Sequence, residues 1–374
     1  MSKKILLVIF GIIFGLCLSE IPVRILRPQL TFSNLPNSGP NCYLSDPVLF
    51  IRFKPYSICH RKAVEFEVFA HINNLGFRGN NSIDIKNSQG ERILFLGDSF
   101  TFGHGVEDNA TYPERVGQIL KNQGNMVEIL NASLEGTEMT RDYIFLRENA
   151  PQLKPKVVIV GFFLGNDITD VSELITTGQD NLGLPEKIAW KDVYIDNLSG
   201  TVRLKATSSR YKIPLLRDSH LFILLSKLFF GNPIYYSGDL DQAGSPCLIK
   251  PACHSFDPQI LAIKKVFLGM KKLSQDDNFK LVVIILPWEM QLPLNLQQRS
   301  GVFVPTNPQQ RHFLSDEFAK FFNDNNITYV DTLNAFEKYS GVDQIFYPQD
   351  RHWTPGGHEI AAEALVPIIK NILK

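Results

Sequence analysis

The chain has 374 residues, 44% of them hydrophobic, which is enough for one large α/β domain with additions. Lysine plus arginine (38) equals aspartate plus glutamate (38), so no net field exists to collect nucleic acid or another acidic polymer. The excess of Phe (27) over Trp (3) indicates a phenylalanine-rich core rather than a stacking platform.

The first predicted element is the apolar stretch 5–18, preceded by Lys3 and Lys4 and followed by Ser19 and Glu20. Its fourteen residues suit a signal-peptide core better than a full span, which needs about 20. The cleavage site is poor, because Cys17-Leu18-Ser19 is a weak small-x-small match and Phe14-Gly15-Leu16 before Cys17 is a weak lipobox. The expectation is therefore an uncleaved signal anchor over 1–20, a transmembrane helix eased by snorkelling of Lys3 and Lys4. Secretion after cleavage is the alternative, and both readings place the remainder outside the cytoplasm.

Residues 21–90 read as an irregular extracytoplasmic lead-in, with Pro28, Pro36, Pro40, Pro47 and Pro55, closing on Asn73-Asn74-Leu75-Gly76-Phe77-Arg78-Gly79. Cysteine usage suits an oxidising compartment, and local pairing of Cys42 with Cys59 and Cys247 with Cys253 is the simplest arrangement. A metal site at Cys247, Cys253 and His254 would lack the tight C-x-x-C pairs of structural zinc, so no metal is expected.

The main domain, 91–374, opens with the strand Ile93-Leu94-Phe95-Leu96, bounded by Glu91-Arg92 and by Gly97. Directly after it stands Gly97-Asp98-Ser99-Phe100, which places a serine where open α/β sheets bind their ligands. Alone, that triplet is ordinary turn chemistry. His104, between Gly103 and Gly105, could line the pocket, but its flanking glycines favour a solvated loop histidine. Thr111 and Glu114 form a capping-box pattern, with Pro113 in the first turn, so a helix starts there.

A second strand, 127–130, leads through Asn131-Ala132-Ser133 to Gly136, and a third, 156–163, ends in Gly165-Asn166-Asp167. Residues 170–279 exceed what a crossover needs and read largely as an insertion. Its continuous apolar run 221–230 is either a cap or membrane-leaning patch, or a helix buried on the sheet. The fourth strand, 281–286, stops at Pro287, and the fifth, 327–330, ends at Asp331, whose position suits a helix cap.

The chain closes with Asp350-Arg351-His352-Trp353-Thr354-Pro355-Gly356-Gly357-His358. The last helix begins at Thr354-Pro355, and Ile360/Ala361, Ala364/Leu365 and Ile368/Ile369 give it a sheet-facing stripe.

Ser, Gly, Asn and His thus follow in order, the first three each just past a strand. This ordered set resembles the SGNH (GDSL-type) hydrolase superfamily over residues 90–374. The G-x-S-x-G elbow of α/β-hydrolases is absent around Ser99. The resemblance implies a flavodoxin-like three-layer α/β/α sandwich with a five-stranded parallel sheet in the order 2-1-3-4-5. It implies Ser99 as nucleophile, His352 and Asp350 as its triad partners, and Gly136 and Asn166 as oxyanion-hole donors. The chain departs from the common D-x-x-H spacing. Its Asp350-x-His352-Trp353 form is similar to members found with polysaccharide O-acetylation and export systems.

The function so implied is an exported serine esterase acting on O-acyl, chiefly O-acetyl, groups of a glycan, without a cofactor. A polysaccharide O-acetyltransferase using the same acyl-enzyme is the alternative, and an inactive glycan-binding module is a second. The expected partners are an acylated carbohydrate or other ester and, through the N-terminal segment, a membrane, but no nucleic acid.

Overall fold

The computed structural model describes residues 3–29, 42–171, 174–190, 193–196, 201–204, 216, 218–230, 256–293, 296, 307–341 and 343–374. Cys247, Cys253 and His254 lie outside the described residues, so neither their pairing nor a site among them is described.

The first helix, α1 (Lys3–Leu26), continues past the apolar stretch through Pro22. Among the described residues no helix is long and apolar enough to cross a membrane, so the expected transmembrane helix is not found. The apolar run ends at Leu18, and Glu20 and Arg24 carry charge into the helix's last two turns.

The lead-in is more regular than its prolines suggest. β1 (Tyr43–Asp46) pairs with β2 (Phe50–Phe53), and β3 (Ile58–Lys62) with β4 (Glu67–His71), both antiparallel. Alternation of buried and exposed positions along β2, β3 and β4 gives these strands one core face each. Pro47 and Pro55 fall between the strands, where they break no ladder. A disulfide joins Cys42 to Cys59, tying the two hairpins together.

The main sheet consists of β5 (Glu91–Leu96), β6 (Val127–Asn131), β7 (Val157–Phe163), β12 (Lys280–Leu286) and β13 (Thr328–Asp331). Every neighbouring pair in it is parallel. The spatial order β6-β5-β7-β12-β13 is the expected 2-1-3-4-5. Because both faces are covered, alternate strand residues enter opposite cores, and the strands read as continuous apolar runs. Leu94, Val158 and Val283 face one core with α4 (Met139–Leu153) and two later helices. These are α7 (Asp257–Asp276) and α8 (Pro308–Asp324). Ile93, Ile159 and Ile284 face the other, with α3 (Tyr112–Asn122), α9 (Leu333–Glu337) and α10 (Pro355–Leu373).

Local signals account for the helix starts. The Thr111 hydroxyl accepts the Glu114 amide at the start of α3, and Asp331 accepts the Leu333 amide at the start of α9. A short helix α2 (Ser99–Phe102) follows β5, and α5 (Asp167–Asp170) follows β7.

After α5 come two hairpins, β8 (Leu174–Gln179) with β9 (Pro185–Trp190), and β10 (Val193–Asp196) with β11 (Thr201–Leu204). The apolar run of the insertion forms α6 (His220–Phe230), which packs on α1. The Glu20 carboxylate accepts the His220 and Leu221 amides and the Ser219 hydroxyl, so α1 caps α6 directly.

Candidate active site

The carboxyl ends of β5, β6 and β7 converge on one edge of the sheet, and each delivers one segment of the site. After β5 the chain must turn sharply into α2. Gly97 makes that turn at φ +139°, and a Cβ there would clash with the Thr101 hydroxyl and with the Gly161 carbonyl oxygen 2.9 Å away, so glycine is required. Asp98 then caps α2, accepting the Phe100 amide at 2.9 Å. Burial pushes its carboxyl up to about 7, the Asp142 charge adding to the rise. Thr101 bonds the Tyr112 hydroxyl at 2.9 Å, and the Asn131 amide donates to the Thr101 carbonyl at 3.1 Å. Ser99 is thereby held from both sides, 9% exposed.

His352 arrives on the turn before α10. Its Nε2 lies 2.7 Å from Ser99 Oγ, and its Nδ1 lies 2.7 Å from Asp350 Oδ1. The D-x-H spacing is made workable by Arg351, whose φ of +75° folds the backbone so that both side chains meet. The Arg351 amide donates to the Tyr347 carbonyl and the Tyr347 amide to the His352 carbonyl, both at 2.9 Å, closing the turn. Trp353, fully buried against Phe100, Tyr112 and Phe336, anchors the histidine from below.

Burial alone would raise the Asp350 carboxyl, but the His352 and His104 charges outweigh it and hold it well below the usual carboxylate range. Glu65 from the lead-in accepts the Asp350 amide at 2.9 Å and the Gln349 amide at 2.8 Å. The β3–β4 hairpin is therefore part of the site's frame.

Asn166 stands at the end of β7, buried at the N-cap position of α5, and its Oδ1 has no hydrogen-bond partner. The carboxylate of its neighbour Asp167 accepts the Phe163 amide at 2.7 Å and serves the strand end. Gly136 lies on the exposed turn after β6 with φ +67°, and a Cβ there would meet open space.

His104 is buried rather than solvated, correcting the reading from its flanking glycines. The loop that carries it folds inward because Arg78 clamps it. The Arg78 guanidinium donates to the carbonyls of Phe102, Gly103 (2.8 Å) and Val106 (2.6 Å) and pairs with Asp108 at 2.9 Å. The segment 73–79 thus does more than make a turn. Arg78→Ala removes one partner of a buried ion pair and strands the loop carbonyls. It is expected to cost about 3–5 kcal/mol of stability, measured as a lower denaturant midpoint.

His104, Asp350 and His352 present donor atoms within 4.8 Å of one another, the spacing of a cation site. Both nitrogens of His352 are engaged by Ser99 and Asp350, and His104 Nδ1 by Glu135 at 2.6 Å. A cation there would compete for the lone pairs the chain of hydrogen bonds uses, so the residues do not fit a resident metal.

A three-layer α/β/α sandwich with a hydrogen-bonded Ser-His-Asp chain at the strands' carboxyl edge defines the class of this molecule. Scans against protein-family models and curated proteins gave no match. Among solved structures it is similar to TesA, with 12% identity over 75% of this chain and 99% of that one (TM-score 0.40). A catalytic mutant of an acetylxylan esterase from Geobacillus stearothermophilus shares 13% identity, covering 77% and 96% (TM-score 0.40). A putative lipolytic protein of the G-D-S-L family from Desulfitobacterium hafniense shares 13%, covering 75% and 99% (TM-score 0.37).

Proposed function

We propose that the chain is an exported serine esterase of the SGNH (GDSL) type that hydrolyses O-acyl, chiefly O-acetyl, esters of a glycan. The single observation that carries this reading is the continuous hydrogen-bonded chain Ser99–His352–Asp350. A serine hydroxyl is a weak nucleophile until a base removes its proton in the transition state. His352 Nε2 takes the Ser99 proton as Oγ attacks the ester carbonyl, and Asp350 fixes the tautomer and stabilises the imidazolium.

The resulting oxyanion is held by the N–H groups of Ser99 and Gly136 and by the Asn166 amide. Collapse breaks the ester bond, and His352 returns its proton to the departing sugar oxygen. A water, activated by the same imidazole, then cleaves the acyl-enzyme and releases the carboxylic acid.

The D-x-H-W form at Asp350–Trp353 supports an O-acyl glycan as substrate. The Cys42–Cys59 disulfide supports an oxidising, extracytoplasmic location. Exposed Leu7, Val8, Phe10, Phe14 and Leu18 on α1 support association of the N-terminal segment with a membrane. Incubation of purified protein with a chromogenic acetyl ester, with and without oligosaccharide acceptors, tests the reading by product mass. Free acetate in both arms is the expected result. Acetylated oligosaccharide would identify a transferase using the same acyl-enzyme, and no turnover would leave an inactive glycan-binding module.

Asn166→Ala is expected to lower kcat by about 10²–10³ with KM nearly unchanged, since an oxyanion donor acts only in the transition state. Steady-state kinetics check this. Wild-type kcat in the variant removes Asn166 from the site.

A further inference from the structure

The geometry points to His104 as a positioning residue, a second histidine wedged between Glu135 and Asp350 that holds Asp350 in place and so sets how readily His352 takes a proton. This rests on the reading of Ser99, His352 and Asp350 as the triad. The two oxygens of Asp350 face two different histidines. Oδ1 meets His352 Nδ1 at 2.7 Å, and Oδ2 faces His104 Nε2 at 3.7 Å. That second contact is longer than a hydrogen bond, so it acts through charge. The two imidazole rings stand 4.6 Å apart, which puts His104 within direct electrostatic reach of the base.

The far side of His104 is equally determined. Its Nδ1 lies 2.6 Å from Glu135 Oε1. Glu135 in turn accepts from Arg61 Nε at 3.1 Å and from the Tyr43 hydroxyl at 2.9 Å. Charges therefore alternate along one largely buried row, Arg61, Glu135, His104 and Asp350, which ends at the base His352. The backbone of His104 belongs to the nucleophile's own turn, since its amide donates to the Ser99 carbonyl at 2.9 Å. Phe66 covers the ring edge-on, and the Tyr347 hydroxyl donates to the adjacent Gly105 carbonyl at 2.9 Å.

Burial works against a charged imidazole here, but Asp350 and Glu135 overcome it and push His104 up to about 9. Glu135 tends upward by burial, and Arg61 and His104 hold it well below the usual carboxylate range. Other titratable or charged groups facing this row are Glu65 and Tyr347 beside Asp350, His358 on the side of His352, and Tyr43 and Arg78 beside Glu135. At neutral pH His104 is thus an imidazolium. It offsets part of the Asp350 charge and opposes protonation of His352. Removing that cation leaves His352 facing the whole Asp350 charge, which favours its protonated, inactive form. The acid limb of the rate profile must then move to higher pH.

The test compares wild type, His104→Gln and Ser99→Ala by ester turnover and by fluorophosphonate labelling at Ser99 over roughly pH 5–9. His104→Gln is expected to keep Ser99 labelling and lower plateau turnover about tenfold. Its acid limb should move up by about one pH unit. A purely structural role would lower the plateau and leave the limb in place, and that result overturns the inference alone. Labelling of Ser99→Ala at the wild-type level overturns the triad reading, and the inference with it.

Histidine NMR on the wild-type protein needs no variant to fold. His104 is expected to stay protonated through neutral pH and to lose its proton near 9, and titration at or below about 6.5 overturns the inference. The sign for stability follows. A raised imidazole contributes fully below about 6.5 and loses that contribution as pH rises through about 9.

Discussion

Replacing Ser99 with alanine is expected to reduce ester turnover by about 10⁶ and to abolish fluorophosphonate labelling. The size follows from how the site is built. His352 Nε2 meets Ser99 Oγ at 2.7 Å, and among the described residues no second hydroxyl is hydrogen-bonded to it. Gly97, Asp98 and Thr101 exist to hold that one hydroxyl at the strand end, and alanine keeps all three of their contacts. The variant should therefore melt close to wild type while its chemistry is gone. Mass spectrometry of probe-treated protein reads the site directly. Labelling at another serine, with Ser99→Ala still active, would overturn the assignment.

Alanine at His352 is expected to cost about as much, because triad members act as a unit and losing one removes most of what all supply together. The informative control is His358, in the same C-terminal motif. His358 is fully buried on α10, and its Nδ1 accepts the Tyr112 amide at 3.2 Å. Burial pushes it down to about 3, with the Arg78 charge adding to the fall, so it is neutral at every working pH and cannot exchange a proton with substrate. His358→Ala should leave kcat within about threefold and lower stability by the cost of a buried aromatic cavity and an orphaned amide, about 3–5 kcal/mol. Kinetics beside thermal melts of both variants separate the roles. Equal, complete loss of activity in two folded variants would leave the base unassigned.

Much of this was legible before any coordinates. Short apolar runs bounded by glycine, proline and charge gave all five sheet strands within a residue or two, because a parallel sheet covered on both faces demands uninterrupted apolar residues. Ser99, Gly136 and Asn166 each follow one of these strands, whose carboxyl ends share one edge because parallel strands share their polarity. Asp331 and Thr111 announced their helices by capping chemistry that acts over three residues. The lead-in hairpins were hidden by their prolines, although the alternation in Phe50-Ile51-Arg52-Phe53 was there to be seen.

What sequence alone determined about this protein is whatever depends on neighbours a few residues apart: strand and helix positions, turn glycines, and the order of the chemistry-bearing residues. Tertiary structure alone decided which distant residues face one another. Nothing near His104 in the chain signals that Arg78, contributed by an earlier segment, draws its loop inward, or that Glu135 and Asp350 close on it from opposite sides. Nothing near Glu20 signals that it caps a helix at residue 220. Charges buried in a fold are stable only when a partner is buried with them, and that partner can come from anywhere along the chain.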